Sequence, residues 1–305
     1  MAVICSCDEL GIPNTGFDCF LDPQVSTGIW LVPYFDSANA VNTLKCADMP
    51  FDKVYFDALV NNTDKSQRVY PLPAVDNVED IRADSVVFTT SGGVNRKVRD
   101  GVRSFAGLLF DSPAYLIDSL ERSGCVELGV FFIDLNGNII GNGKYAEGEL
   151  APFRIQKGTT DVTYVKATDS DPSSISFKFD YNVNEKDKNI GGISADDIAY
   201  SPSLVQGLLD ITAGAATAIS TTGFTTATTT SYGDACSSGS LKGAVPADWT
   251  LFNGITPVTM LDVIESPAGT YTPDYSGDPQ SSADVLTFSL VKDGYEMTPL
   301  TIVIP

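Results

Sequence analysis

The residues able to do chemistry are few, and their spacing is uninformative for most reactions. The 305-residue chain has no histidine. A Ser-His-Asp triad, a Cys-His dyad and a His-ligated catalytic metal are therefore excluded. Six cysteines, at 5, 7, 19, 46, 125 and 236, are scattered thinly. Cys5-x-Cys7 with Cys19 and Cys46 could supply four thiolates, but the spacing departs from the paired C-x₂-C knuckles of zinc sites. Free thiols with a small structural role are the expectation, and no cofactor or metal is expected. Asp134-x-Asn136-Gly137-Asn138 superficially resembles a calcium loop. It lacks the distal acid and is flanked by strand-like segments, so a hairpin turn is expected instead.

Arg96, Lys97, Arg99 and Arg103 form the one basic cluster, just after Ser91-Gly92-Gly93. A phosphate-cradling loop would need a following Gly-Lys-Ser/Thr and a helix, and neither is indicated. In a chain with 19 basic and 39 acidic residues, net −20, four clustered cations read as an inter-subunit contact loop that meets an acidic neighbour. A plain solvated loop is the bland alternative. The same net charge argues against specific binding to a nucleic-acid backbone. The acids fall mostly in turns such as Asp22-Pro23, Asp171-Pro172 and Asp278-Pro279, where Asp bonds its own backbone. No carboxylate pair has a glycosidase-like setting. Trp30 and Trp249 are too few and too far apart for a sugar-stacking platform and read as core anchors. The chain is expected not to be an enzyme.

The elements that must hold these residues are mostly strands. Runs at 28–35, 53–56, 68–72, 85–90, 126–133, 150–155, 161–167 and 174–180 are β-branched or aromatic and end at turn residues. Ile175, Phe177 and Phe179 alternate with Ser174, Ser176 and Lys178, the pattern of a half-buried strand. Asn136-Gly137 between apolar runs predicts a tight hairpin. A single amphipathic helix is expected near 112–123, capped by Asp111-Ser112, with Pro113 at its first turn and Gly124 at its end. It would cover one sheet face or plug a barrel end.

Composition shifts near Gly191-Gly192. Residues 1–190 hold 17 basic and 27 acidic side chains, whereas residues 191–305 hold 2 basic and 12 acidic ones and are rich in Thr, Ser, Ala and Gly. Residues 184–189 read as a linker or exposed loop. The expected domains are 1–190, a β-sandwich or barrel that assembles, and 191–305, an immunoglobulin-like sandwich of short strands. A short helix is expected around 202–207. The first nine residues lack a basic-then-apolar leader, and no apolar run reaches the length of a membrane span. Synthesis and retention in the cytosol are expected, with no membrane partner.

Asp100 through Phe110, the capped helix, Ser123-Gly124-Cys125, Val130 through Asn138 and Phe153 through Lys157 together resemble virion proteins of tailed bacteriophages, particularly those infecting Bacteroidetes. The N-terminal Cys-x-Cys and the closing Lys292-Asp293-Gly294-Tyr295 through Pro299 are similar too. Within that group the chain is most similar to tail-tube-type proteins. The resemblance implies a β-sandwich or barrel with one flanking helix, sheets paired between neighbours, and an added outer immunoglobulin-like domain. It also implies a virion-borne homo-oligomer, a stacked hexameric ring around a DNA channel, with other virion proteins as partners. A capsid decoration or head-stabilising protein and a head–tail connector are the alternatives within a virion. A glycan-binding or glycan-cleaving surface protein is the alternative of another class.

Overall fold

The computed structural model describes residues 23–110, 112, 115–230 and 239–305. The protein is mainly β. It divides into two compact units, with the division between Gly207 and Leu208.

The first unit contains β1 (Ser26–Pro33), β2 (Leu44–Lys45), α1 (Lys53–Val60), β3 (Tyr70–Pro71), β4 (Val75–Arg82), β5 (Val86–Thr89), β6 (Asn95–Arg99) and β7 (Arg103–Phe110). After α2 (Tyr115–Ser123) come β8 (Leu128–Asp134), β9 (Ile139–Ala146), β10 (Glu149–Ala151), β11 (Phe153–Arg154), β12 (Asp161–Val165), β13 (Ser174–Asp180) and β14 (Ile190–Ile193). One sheet runs β2-β10-β9-β8-β1-β3, with β11 also on β8 and β14 also on β9. A second runs β12-β13-β7-β4. Pro71 sits in the outermost strand of the first sheet, where its missing N–H costs no ladder bond.

The two sheets close on one core. Ile29, Leu31, Val130 and Phe132 from the first meet Phe105, Leu109, Ile175, Phe177 and Phe179 from the second. The predicted alternation of 174–180 is observed: Ile175, Phe177 and Phe179 are buried and Lys178 is exposed. Strand β8 is buried along its whole length. Val130 and Phe132 face this core, while Phe131 and Ile133 belong to a second core on the opposite face. There they pack with Trp30, Phe51, Phe56 and Ile193. The apolar run Val130-Phe131-Phe132-Ile133 thus belongs to a strand covered on both sides. Helix α2 lies where the capped pattern predicts, with Leu120 buried in the inter-sheet core. Its proposed cap residues Asp111 and Pro113 lie outside the described residues.

Three expectations about this unit are corrected. Residues 53–56, read as a strand, begin helix α1. Asp52 caps it, its Oδ1 accepting the Tyr55 N–H at 2.8 Å. Phe56 and Val60, four apart, are the buried pair. Four residues are too short a window to distinguish a period of 2 from one of 3.6; the cap and the apolar residue one turn later decide. The domain boundary also falls later than Gly191-Gly192. Those glycines are in β14, which pairs with β9. A Cβ on Gly191 would lie 2.7 Å from the Gly143 Cα, so glycine there serves close strand approach, not a linker. Farther on, the helix expected around 202–207 is a single 3₁₀ turn, Pro202–Leu204.

The second unit contains β15 (Leu209–Ala213), β16 (Thr226–Thr230), β17 (Trp249–Asn253), β18 (Thr256–Pro257), β19 (Asp262–Glu265), β20 (Thr270–Asp274), β21 (Val285–Leu290), β22 (Tyr295–Met297) and β23 (Leu300–Val303). Two sheets, β19-β20-β16-β15-β22 and β18-β17-β21-β23, form a sandwich. Its core includes Ile211, Phe224, Trp249, Tyr271, Phe288 and Ile302. Trp249 stacks on Phe288 with ring centroids 4.6 Å apart and planes 8° apart. Both tryptophans are core anchors, as expected: Trp30 is 2% and Trp249 3% exposed.

Candidate assembly surface

Strands β5 and β6 form a hairpin that pairs with no other strand among the described residues. Its register sets Phe88 opposite Arg96, Val87 opposite Lys97 and Val86 opposite Arg99, with a bulge between the last two pairs. Partners across a strand pair share a face. Each apolar residue of β5 therefore sits beside a cation of β6. Every residue from Asp84 to Thr89 is exposed, and so is every residue from Ser91 to Asp100. Phe88 is 61% and Val98 65% exposed. The tip closes on Gly93, at φ +77°, whose N–H donates to the Thr90 carbonyl at 2.9 Å. At the root, a Cβ on Gly101 would lie 1.7 Å from the Ala83 carbonyl oxygen. Only glycine lets the two limbs approach so closely.

The basic cluster is divided by this geometry. Arg96, Lys97 and Arg99 lie on the exposed arm, and Lys97 forms an ion pair with Asp100. Lys97, followed by Lys186 and Arg82, holds the Asp100 carboxyl below the usual carboxylate range. Arg103 belongs to the body of the unit. Its side chain is only 15% exposed. Its Nε donates to both Asp80 oxygens at 2.9 and 3.0 Å, and its guanidinium lies 4.5 Å over the Tyr181 ring.

Arg103 also faces Arg82 directly across β4 and β7. Like charges so placed repel, and Asp187 answers the repulsion. It accepts from Arg82 Nη2 at 2.5 Å and from Arg103 Nη1 at 3.4 Å. Hydrogen bonding and charge pairing with Arg82 depress the Asp187 carboxyl. Residues 184–189, expected to be a linker or an exposed loop, are a mostly exposed strap that Asp187 clips to the arm's root. Their other anchor is Glu185, whose oxygens accept from the Arg154 N–H at 3.2 Å and from Asn142 Nδ2 at 3.0 Å. Burial pushes the Glu185 carboxyl up, against the lowering effect of these bonds.

A pH-dependent stability difference follows from Glu185. The folded chain holds its proton to higher pH than the unfolded chain, whose Glu titrates near about 4.3. This group's contribution therefore falls as pH rises through the folded value. The Tm of Glu185→Gln minus that of the wild type is expected to become more positive as pH rises from below the unfolded value, and to level off once the folded carboxyl has ionised. A flat difference in parallel melts would remove Glu185 as a buried carboxylate.

The remaining sequence candidates are dispersed. Asn136-Gly137 makes the predicted β8–β9 hairpin turn, with Gly137 at φ +86°. Buried Asp134 accepts four N–H bonds there, from the Asn136 and Asn138 backbone, Asn138 Nδ2 and the Gln24 backbone. Cys5, Cys7, Cys19 and Cys236 lie outside the described residues, and Cys46 and Cys125 are free thiols. Among the described residues no group of three or more Cys, Asp or Glu is placed to hold a metal. No described helix is long and apolar enough to cross a membrane.

Sequence reasoning missed Asp80, Arg82 and Asp187, which lie up to 105 residues from their partners. The charge-rich strap sequence was the one available signal. No protein-family model, curated protein or solved structure matches the chain.

Proposed function

We propose that this chain is a structural, non-enzymatic subunit of a bacteriophage virion, a tail-tube protein that forms stacked hexameric rings around a DNA channel. The β5–β6 arm carries the reading. It presents Val86, Val87, Phe88, Val94 and Val98 to solvent beside three cations. A monomer gains nothing from such a surface, whereas a neighbouring acidic copy would cover it. The second sheet adds support: its outer strands β4 and β12 have no further partner strand among the described residues. Sheet pairing between copies would satisfy those edges. The second unit reads as an immunoglobulin-like outer module. An acidic lumen would repel DNA and let it slide.

The full-length protein is expected to form six-fold rings or tubes as concentration rises, seen by light scattering and negative-stain imaging. A monomer at every concentration would overturn the assembly reading. Arg103 is assigned to the fold and not to the contact, because charge reversal there would break the Asp80–Asp187 network.

A further inference from the structure

We infer that one face of the arm docks on the edge strand β19 of a second copy of this chain, with Arg96 beside Asp262. The inference rests on the assembly reading above and names both sides of the contact.

The two faces of the arm differ. Residues two apart on a strand share a face, and so do partners across a strand pair. One face carries Val87, Thr89, Asn95 and Lys97. Its polar groups are satisfied within the arm and its root. Thr89 Oγ1 donates to Asn95 Oδ1 at 2.6 Å, and Lys97 pairs with Asp100. The other face carries Val86, Phe88, Arg96, Val98 and Arg99, all exposed. Neither Arg96 nor Arg99 forms an ion pair among the described residues.

The second unit carries the complement. Strand β19 is the edge of its sheet. Asp262 and Ile264 are exposed on it, while Val263 between them is buried. Leu261, just before the strand, is exposed too. Asp262 lies directly opposite Asp274 of β20, and like charges so placed repel. Neither carboxylate forms an ion pair among the described residues. The unit has two lysines, Lys242 and Lys292, and Lys292 is engaged by Asp248. An arginine from another copy would relieve the repulsion and gain a carboxylate partner.

The apolar spacing agrees. Val94 and Val98 lie two residues to either side of Arg96, and Ile264 lies two from Asp262. With Arg96 beside Asp262, Ile264 meets Val98 in a parallel pairing and Val94 in an antiparallel one. The outer edges of β6 and β19 have no partner strand among the described residues, so their pairing would satisfy both. Two unpaired cations among three apolar side chains suit a mixed acidic and apolar strand better than a polyanion, which needs more clustered charge. The contact uses different surfaces on the two copies. It therefore repeats head to tail and closes into a ring where the rotation allows.

The test is a charge swap in the full chain: Arg96→Asp, Asp262→Arg, and the two together. Both positions are exposed. Sedimentation velocity across a concentration series is expected to show the assembly midpoint raised by about tenfold or more in each single variant. The double variant should return to within about threefold of the wild type. Lys157→Asp makes the Arg96→Asp charge change off the arm and should assemble as the wild type does. Unchanged near-ultraviolet circular dichroism checks the fold of each variant. If the wild type assembles and either single variant does so equally well, or the double variant is no better than the singles, the docking inference falls and the assembly reading stands. If the wild type never assembles, both fall. Retention of a short DNA duplex by the wild type but not by Arg96→Asp would also overturn the inference, making the occupant nucleic acid.

Discussion

Phe88→Asp combined with Val98→Asp is expected to keep the chain monomeric at concentrations where the wild type assembles. Both side chains are more than half exposed in the single chain, so the fold loses little. The cost within the hairpin is bounded by strand propensity, about 1 kcal/mol at most per site. In an assembly that covers the arm, burial of each side chain would contribute about 1.5–3 kcal/mol. The aspartates would forfeit that and bring carboxylates into a contact that excludes water. The assembly midpoint should rise by about 100-fold or more. Light scattering on matched concentration series reads it directly, with thermal melts to verify folding. An unchanged midpoint would mean that the arm is not a contact, whatever the rest of the surface does.

The second large effect belongs to the fold. Phe132 is 5% exposed on the central strand β8. Its ring centroid lies 5.1 Å from that of Phe105, 6.1 Å from Phe153 and 6.5 Å from Tyr181. Phe132→Ala removes the ring on which both sheets converge. The lost transfer free energy and the residual cavity together should cost about 3–5 kcal/mol. Each unit contains one of the two tryptophans, Trp30 in the first and Trp249 in the second. Melts followed by fluorescence in Trp249→Phe and Trp30→Phe backgrounds therefore report the units separately. The Trp30 transition should move to lower denaturant by that amount. A Trp30 signal unmoved by the substitution would contradict a single core between the two sheets.

The core ring and the exposed arm differ in how far local sequence foretells them. Phe132 could be chosen from sequence, because Val130-Phe131-Phe132-Ile133 is apolar without interruption, and such a run suits a strand buried on both faces. The exposed arm could be chosen only in part. Ser85 to Thr90 is β-branched and aromatic, a pattern that normally signals a core strand. That none of it is buried depends on which strands pair beside it, a non-local matter. Helix α1 was hidden for a related reason: Val54-Tyr55-Phe56 has strand-like residue types, and the Asp52 cap and Val60 lie outside the short apolar window.

The sequence by itself determined the β class, the Asn136-Gly137 turn, the place of helix α2, the alternation in β13, and a charge that leaves one basic cluster in an acidic chain. Each depends on neighbours a few residues apart, where propensity and periodicity act. Only the tertiary structure decided that Gly191-Gly192 is a close-packed strand and that residues 184–189 are a strap. It also separated Arg103 from Arg96, Lys97 and Arg99. Four cations within eight residues look alike along the chain. One of them meets Asp80 and Asp187, while the other three extend on the exposed limb of a hairpin. Burial and pairing with distant acids distinguish them, and those are set by the folding of separated segments onto one another.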